Sequence, residues 1–176
     1  MTAVTPHLAG SARLSAMASR YVNVEALPWR PTRWAGIEMK VLVEEPETGL
    51  LTALFRWAPG SELPLHEHVR MEQTYVLQGS LVDEEGEAKA GDFVWRPAGS
   101  RHVARSPKGA LILGFFLAPN RFLAEAEAGV PSAAQLASAP SATAPSAGAA
   151  AGGDAAAPGG ERPAGAPSPS SVWGVR

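Results

Sequence analysis

The feature that most constrains this chain is its punctuation. From residue 37 to residue 118, apolar and β-branched runs last only a few positions before proline or glycine stops them. Pro46 and Gly49 follow "GIEMKVLVE", and Pro59–Gly60 follow "LLTALFRW". Gly79 ends "EQTYVLQG", Pro97–Gly99 follow "DFVWR", and Pro107–Gly109 precede "ALILGFFLAP". Proline removes a backbone donor and glycine permits positive φ, so such residues bound strands and make turns. Short strands at intervals of roughly 8–12 residues predict an all-β, antiparallel sandwich or barrel. In "GIEMKVLVE", Ile37, Met39, Val41 and Val43 alternate with Glu38, Lys40, Leu42 and Glu44, as on a strand covered on one face. "LLTALFRW" is apolar on both parities, as a strand covered on both sides would be. "SLVDEEGEAKAG" reads as a hairpin around Glu85–Gly86, and only "NRFLAEAEAG", residues 120–129, has helical character.

Composition sets the limits of the folded part. Over residues 131–176 there are 15 Ala, 7 Ser, 7 Pro and 7 Gly. Such a segment buries too little surface to offset its ordering entropy, so it is expected to be a disordered tail. Residues 1–20 read as a flexible extension, with Met17 as an alternative translation start. The domain is expected over residues 21–125, long enough for one adequate core. No secretion signal is recognisable at the N-terminus, so a cytoplasmic location is expected. No apolar run approaches the roughly 18 residues of a membrane helix. The 15 Lys and Arg are scattered and the net charge is −2, which argues against a nucleic-acid partner. A homodimer through exposed strand edges fits a small β domain.

The chemistry lies in "PLHEHVRMEQTYVLQG", residues 64–79. His66 and His68 are two apart, so on a strand their side chains share a face. Glu72 follows beyond a kink at Val69–Arg70 and can re-enter that face from the next strand. His102 comes just after Pro97–Gly99, where a neighbouring strand can bring it opposite the first two. The chain has 4 histidines, and His7 alone is left without a role. Three imidazoles and a carboxylate suit one divalent first-row metal such as Fe, Mn, Ni, Cu or Zn. Cysteine is absent, so thiolate sites are excluded. Ordinary hydrogen-bonded histidines would explain one such residue better than three at this spacing. For Glu72 the competing reading is a salt bridge with Arg70 or Arg101. A divalent ion with one carboxylate leaves a single positive charge, which an enolate or hydroxyketone anion would neutralise.

Around these residues, Glu67 lies between two inward positions and should face solvent. Gly60, Gly79, Gly91 and Gly99 read as turn residues with positive φ. Trp57, Tyr75, Trp95 and Phe116 read as core before pocket. Arg56, Arg96 and Arg101 read as solvated surface. Gln73 or Tyr75 could support a ligand imidazole, although strand parity opposes both if Glu72 points inward.

Residues 60–79 carry G-x5-H-x-H-x3-E-x6-G, on Gly60, His66, His68, Glu72 and Gly79. Residues 91–102 carry G-x5-P-x-G-x2-H, on Gly91, Pro97, Gly99 and His102. These resemble the two signature motifs of the cupin superfamily. Ser106 stands where the second motif usually has Asn. The resemblance implies a small jelly-roll-like cupin barrel with one metal inside, held by His66, His68, Glu72 and His102. Residues 28–118, with "PGSELPLHEH" and "GDFVWRPAGSRH", are similar to ChrR-type cupins. That group includes the metal-binding module of an anti-sigma factor and borders acetylacetone-cleaving iron dioxygenases.

Three functions are expected as alternatives. The first, favoured here, is a mononuclear non-haem Fe(II) dioxygenase cleaving a C–C bond of a small β-diketone or hydroxyketone, with no acid or base apart from the ligands. The second is a non-catalytic sensor or ligand-binding module with Zn. The third is a Mn-dependent isomerase or decarboxylase of a small acid. Sigma-factor inhibition is excluded for the second, because that activity resides in a helical, cysteine-containing domain and this chain has no cysteine.

Overall fold

The structure is a computed structural model that describes residues 3–10 and 14–123. Among these described residues ten strands follow one another: β1 (Arg30–Pro31), β2 (Ile37–Glu45), β3 (Leu50–Trp57), β4 (Ser61–Glu67), β5 (Glu72–Val82), β6 (Glu87–Lys89), β7 (Phe93–Arg96), β8 (Arg101–Ser106), β9 (Ala110–Phe116) and β10 (Arg121–Phe122). Their order in the sheet is β1-β2-β3-β9-β5-β8-β4-β10, with β6 and β7 also paired to β5. All pairings are antiparallel. The sheet curls because β5 serves two neighbourhoods. Residues 72–79 pair with β9, of which 72–75 also pair with β7, while 80–82 pair with β6 and Val82 with β8. Among the described residues no helix is long and apolar enough to cross a membrane.

The concave side is the core. On β9, Ala110, Ile112, Gly114 and Phe116 are buried while the residues between them are half-exposed, the period-2 signature of a strand with one inner face. Ile37, Trp57, Val76, Ala104, Ala110 and Ile112 form one cluster. Met39, Val41, Leu51, Ala53 and Phe116 form a second. At ~25 cal/mol per Å² of apolar surface removed from water, these residues dominate the stability of the fold.

Gly79 has φ 69° and leads β5 past the β8–β9 turn, where a Cβ would run into the Gly109 carbonyl. Gly60, Gly91 and Gly99 also have positive φ, as their motif positions predict. Ser106, in the place of the motif's Asn, is fully buried and donates its hydroxyl to the Ser80 carbonyl at 2.8 Å, tying β8 to β5.

Three expectations change. The alternation of β2 fails at its end, because a bulge between Val41 and Val43 shifts the register and buries Glu44. Residues 121–122 form β10 on β4 rather than starting a helix, since Phe122 finds an aromatic partner in Trp34 at 4.4 Å. Residues 124–129 of that expected helix, and the tail 131–176, lie outside the described residues. Within the stretch read as a flexible extension, Val4 bridges Glu44 and the Thr5 hydroxyl donates to the Leu42 carbonyl at 2.6 Å.

Candidate metal centre

β4 and β8 set the histidines against each other. His66 pairs directly with His102 in the ladder, and both point inward. A register shift between Leu63 and His66 absorbs Pro64, which cannot donate to a ladder. His68 lies one residue beyond β4, yet the pairing continues around it. Its N–H donates to the Ser100 carbonyl at 3.0 Å, and the Gly99 N–H donates to its carbonyl at 2.8 Å. The Pro97–Gly99 turn therefore fixes the backbone of a residue distant in sequence. Glu72 opens β5 and stands opposite Arg96 on β7 and Phe116 on β9.

The ring centroids of His66 and His102 are 4.6 Å apart, and each is 5.1 Å from that of His68. One candidate donor nitrogen from each ring falls within 4.8 Å of the other two. Donors around a single ion sit about 3–4 Å apart, so small inward rotations would gather all three. Glu72 lies outside that trio. Its Oε2 is nevertheless 3.1 Å from His68 Nε2, at an angle that makes no hydrogen bond.

The remaining ring nitrogens are engaged. His66 Nδ1 meets the Pro64 carbonyl at 2.8 Å, His68 Nδ1 the Ser100 hydroxyl at 2.9 Å, and His102 Nδ1 the Asp83 carboxylate at 3.0 Å. The Pro64 and Asp83 contacts need the proton on Nδ1, which leaves Nε2 as the lone pair of those two rings. Nε2 of His68 and of His102 is buried without a hydrogen-bond partner. Orphaned buried polar atoms are rare, and neutral imidazoles are metal donors. The residues present fit a divalent cation.

Electrostatics agree. Burial pushes His66 below its ordinary pKa, against the hydrogen bond to Pro64. Burial, helped by nearby Arg96, lowers His102 to about 4. Burial opposes ionisation of Glu72, but contact with His68 and the Asn120 amide overcome it and bring it to about 2. Near neutral pH the site thus presents neutral imidazoles at His66 and His102 beside an anionic Glu72, the forms that bind metal.

A second layer holds the first. Asp83 has a 7% exposed side chain and takes Arg96 Nη2 at 2.6 Å on the same oxygen that faces His102. Its other oxygen accepts the backbone N–H groups of Glu85 and Gly86 at 2.9 and 3.0 Å. Asn120 donates to Glu72 Oε2 at 3.0 Å. Sequence reasoning missed Asp83, Ser100 and Asn120. For Ser100, its place between Gly99 and His102 was the available signal; for Asp83 it was the acidic hairpin. Gln73 and Tyr75 do not support the ligand rings, because Glu72 and Thr74 take the inward parity of β5.

Beside the histidines lies a cavity of about 60 Å³, walled by Trp34, Phe55, Trp57, Ile112, Phe116 and Phe122 among others, with Glu72, Arg96 and Asn120 also on its lining. Trp57 and Phe116 are buried as expected. Trp95 and Tyr75 are not core, since they alternate with inward Arg96 and Thr74 and so face out. Arg96 is not a surface residue: Asp83 gives it a buried partner and it borders the cavity. Arg56 and Arg101 are exposed, paired with Glu38 and Glu67. Glu67 does point away from the cavity, but Arg101 and Arg121 clamp it, so it is not freely solvated.

The sequence matches the family model for the ChrR cupin-like domain over residues 17–119. No curated protein matches it. Among solved structures, a candidate acetylacetone dioxygenase from Methylibium petroleiphilum PM1 is 27% identical, with TM-score 0.56, covering 62% of this chain and 83% of its own. An acetylacetone dioxygenase from Acinetobacter johnsonii is 24% identical, with TM-score 0.53, covering 60% and 78%. An RmlC-like cupin from Ralstonia eutropha JMP134 is 22% identical, with TM-score 0.54, covering 58% and 71%. The last two share the fold with this chain.

Proposed function

The chain belongs to the ChrR cupin-like family, and from that premise we propose that it is a mononuclear Fe(II) dioxygenase. Its substrate would be a small β-diketone or hydroxyketone that loses a carbon–carbon bond. The observation that carries this reading is the cavity lined by His66 and His102, two of the three convergent histidines, and by Glu72. A purely structural metal needs no such space, whereas a substrate does. Similarity to a candidate acetylacetone dioxygenase at 27% identity supports the same chemistry.

His66, His68 and His102 hold the metal through one ring nitrogen each, and Glu72 is the fourth ligand. When bound, the metal supplies the Lewis-acid and redox chemistry of an O2-dependent cleavage. The residues do the rest. Asp83 and the Pro64 carbonyl fix the Nδ1–H tautomers, and Ser100 orients the third ring. Asn120 holds one Glu72 oxygen and so limits its rotation. Asp83 pairs with Arg96 and offsets its charge. The carboxylate therefore leaves a divalent site at one positive charge, complementary to a monoanionic enolate. Apolar walls exclude water, which strengthens that attraction.

The test is metal analysis of protein purified without oxygen from its own host, followed by O2 uptake with a panel of β-diketones. Iron content with diketone-dependent O2 consumption is expected. Stoichiometric zinc, or iron-loaded protein that consumes no O2 with any diketone, would refute the proposal.

A further inference from the structure

The outer face of the sheet is covered unevenly. Over β2 and β3 the chain covers itself. Lys40 Nζ donates to the Val24 carbonyl at 2.9 Å, and Trp29 lies against Lys40 and Arg56 at 5.1 and 4.4 Å. Over β9, β5 and β7 nothing described covers the sheet, and the outward residues there are mostly apolar, with the uncharged amides of Gln73 and Gln78 among them. Trp95 is 58% exposed, Phe93 53% and Tyr75 39%. Tyr75 stands between Phe93 on β7 and Leu113 on β9, while Gln73 stands between Trp95 and Phe115. Around the Gln73 amide the two cross-strand rows form an aromatic and aliphatic surface with no ionisable side chain except the Tyr75 phenol.

We propose that this β7–β5–β9 face is a two-fold interface with a second copy of the chain. The three most exposed rings alone offer roughly 300 Å² of apolar surface, half-exposed as they are. With Leu113, Phe115 and Leu77 around them, a stable interface of ~800 Å² per partner is within reach. An aromatic centre without charge is the composition of an interface core. A second copy fits better than the chain's own C-terminal stretch. Residues 131–176 supply only Leu136, Val172, Trp173 and Val175 as large apolar side chains, too few to cover two aromatic rows. A sheet face also meets its own copy isologously, each row matched by the same rows of the partner. The contact is on the face rather than at the strand edges expected from sequence. It is independent of the proposed chemistry, although Trp95 and Tyr75 alternate along their strands with inward Arg96 and Thr74.

The full chain should sediment as a dimer at micromolar concentration. Trp95→Glu and, separately, Tyr75→Lys should weaken the dimer at least tenfold while circular dichroism and metal content stay native. A wild type that remains monomeric throughout, or dimers unchanged in both folded variants, would overturn the inference. So would a monomer whose Trp95 is shielded from hydroxyl-radical labelling, because the chain's own residues would then cover the face.

Discussion

His66 and His102 occupy paired positions on neighbouring strands, so the β4–β8 ladder itself sets the distance between two candidate ligands. The backbone hydrogen bonds that hold the sheet also hold the site. Losing an imidazole should therefore remove the metal without removing the fold.

His66→Ala and His102→Ala are each expected to abolish metal retention through dialysis against chelator, with β-type circular dichroism preserved. Elemental analysis checks this. Stoichiometric metal in both variants would contradict the ligand assignment.

Asp83→Asn keeps the shape but removes the charge that engages both His102 and Arg96. Partners of ligand histidines typically contribute 10–100-fold to metal affinity. A loss of that order is expected in competition with a chromogenic chelator. Unchanged affinity would mean that Asp83 serves only the hairpin.

Acid should destabilise the metal-free protein before its carboxylates titrate. His66 and His102 lie below their ordinary 6.5 in the fold, His102 near 4, chiefly through burial. The unfolded chain takes up these protons near pH 6.5, so below that pH it binds more protons than the native state, for His102 down to about pH 4. Stability then falls with falling pH by ~1.4 kcal/mol per unit through His102, and His66 acts in the same direction. The contribution of Glu72, whose pKa lies at about 2 instead of 4.5, is present above 4.5 and is lost only as pH falls toward 2. Denaturant titrations at pH 7, 6 and 5 measure the slope. A flat profile would show that the histidines are not buried as neutral groups.

Removing residues 131–176 should leave the melting temperature and metal content unchanged. A large fall in either would show that the segment packs on the domain.

Gly79→Ala should destabilise the fold by about 1–3 kcal/mol, through its positive φ and the crowding of a Cβ by Gly109. Thermal melting of the variant gives the value.

Much of this was legible in the sequence because it depends on local rules. Turn glycines announce positive φ, and a two-residue spacing puts His66 and His68 on one face. What was not legible depends on pairing between distant strands. Arg96 reads as surface until β5 brings Asp83 beside it. Trp95 reads as core until β7 proves to put Arg96 inward and the indole outward. The bulge in β2 reverses the pattern of its last residues, and hydropathy alone does not place a bulge. The expected helix began at residues whose aromatic member, Phe122, instead joins Trp34 and the ring of the candidate ligand His66.

Asp83 spends one oxygen on the tip of the β5–β6 hairpin and the other on His102. That tip looks like an ordinary surface loop, the kind of place chosen for an epitope tag or a fluorophore graft. Here, lengthening it would slacken the carboxylate that aligns His102, so a graft at Glu85–Gly86 would be felt at the three-histidine site before it was felt by the fold.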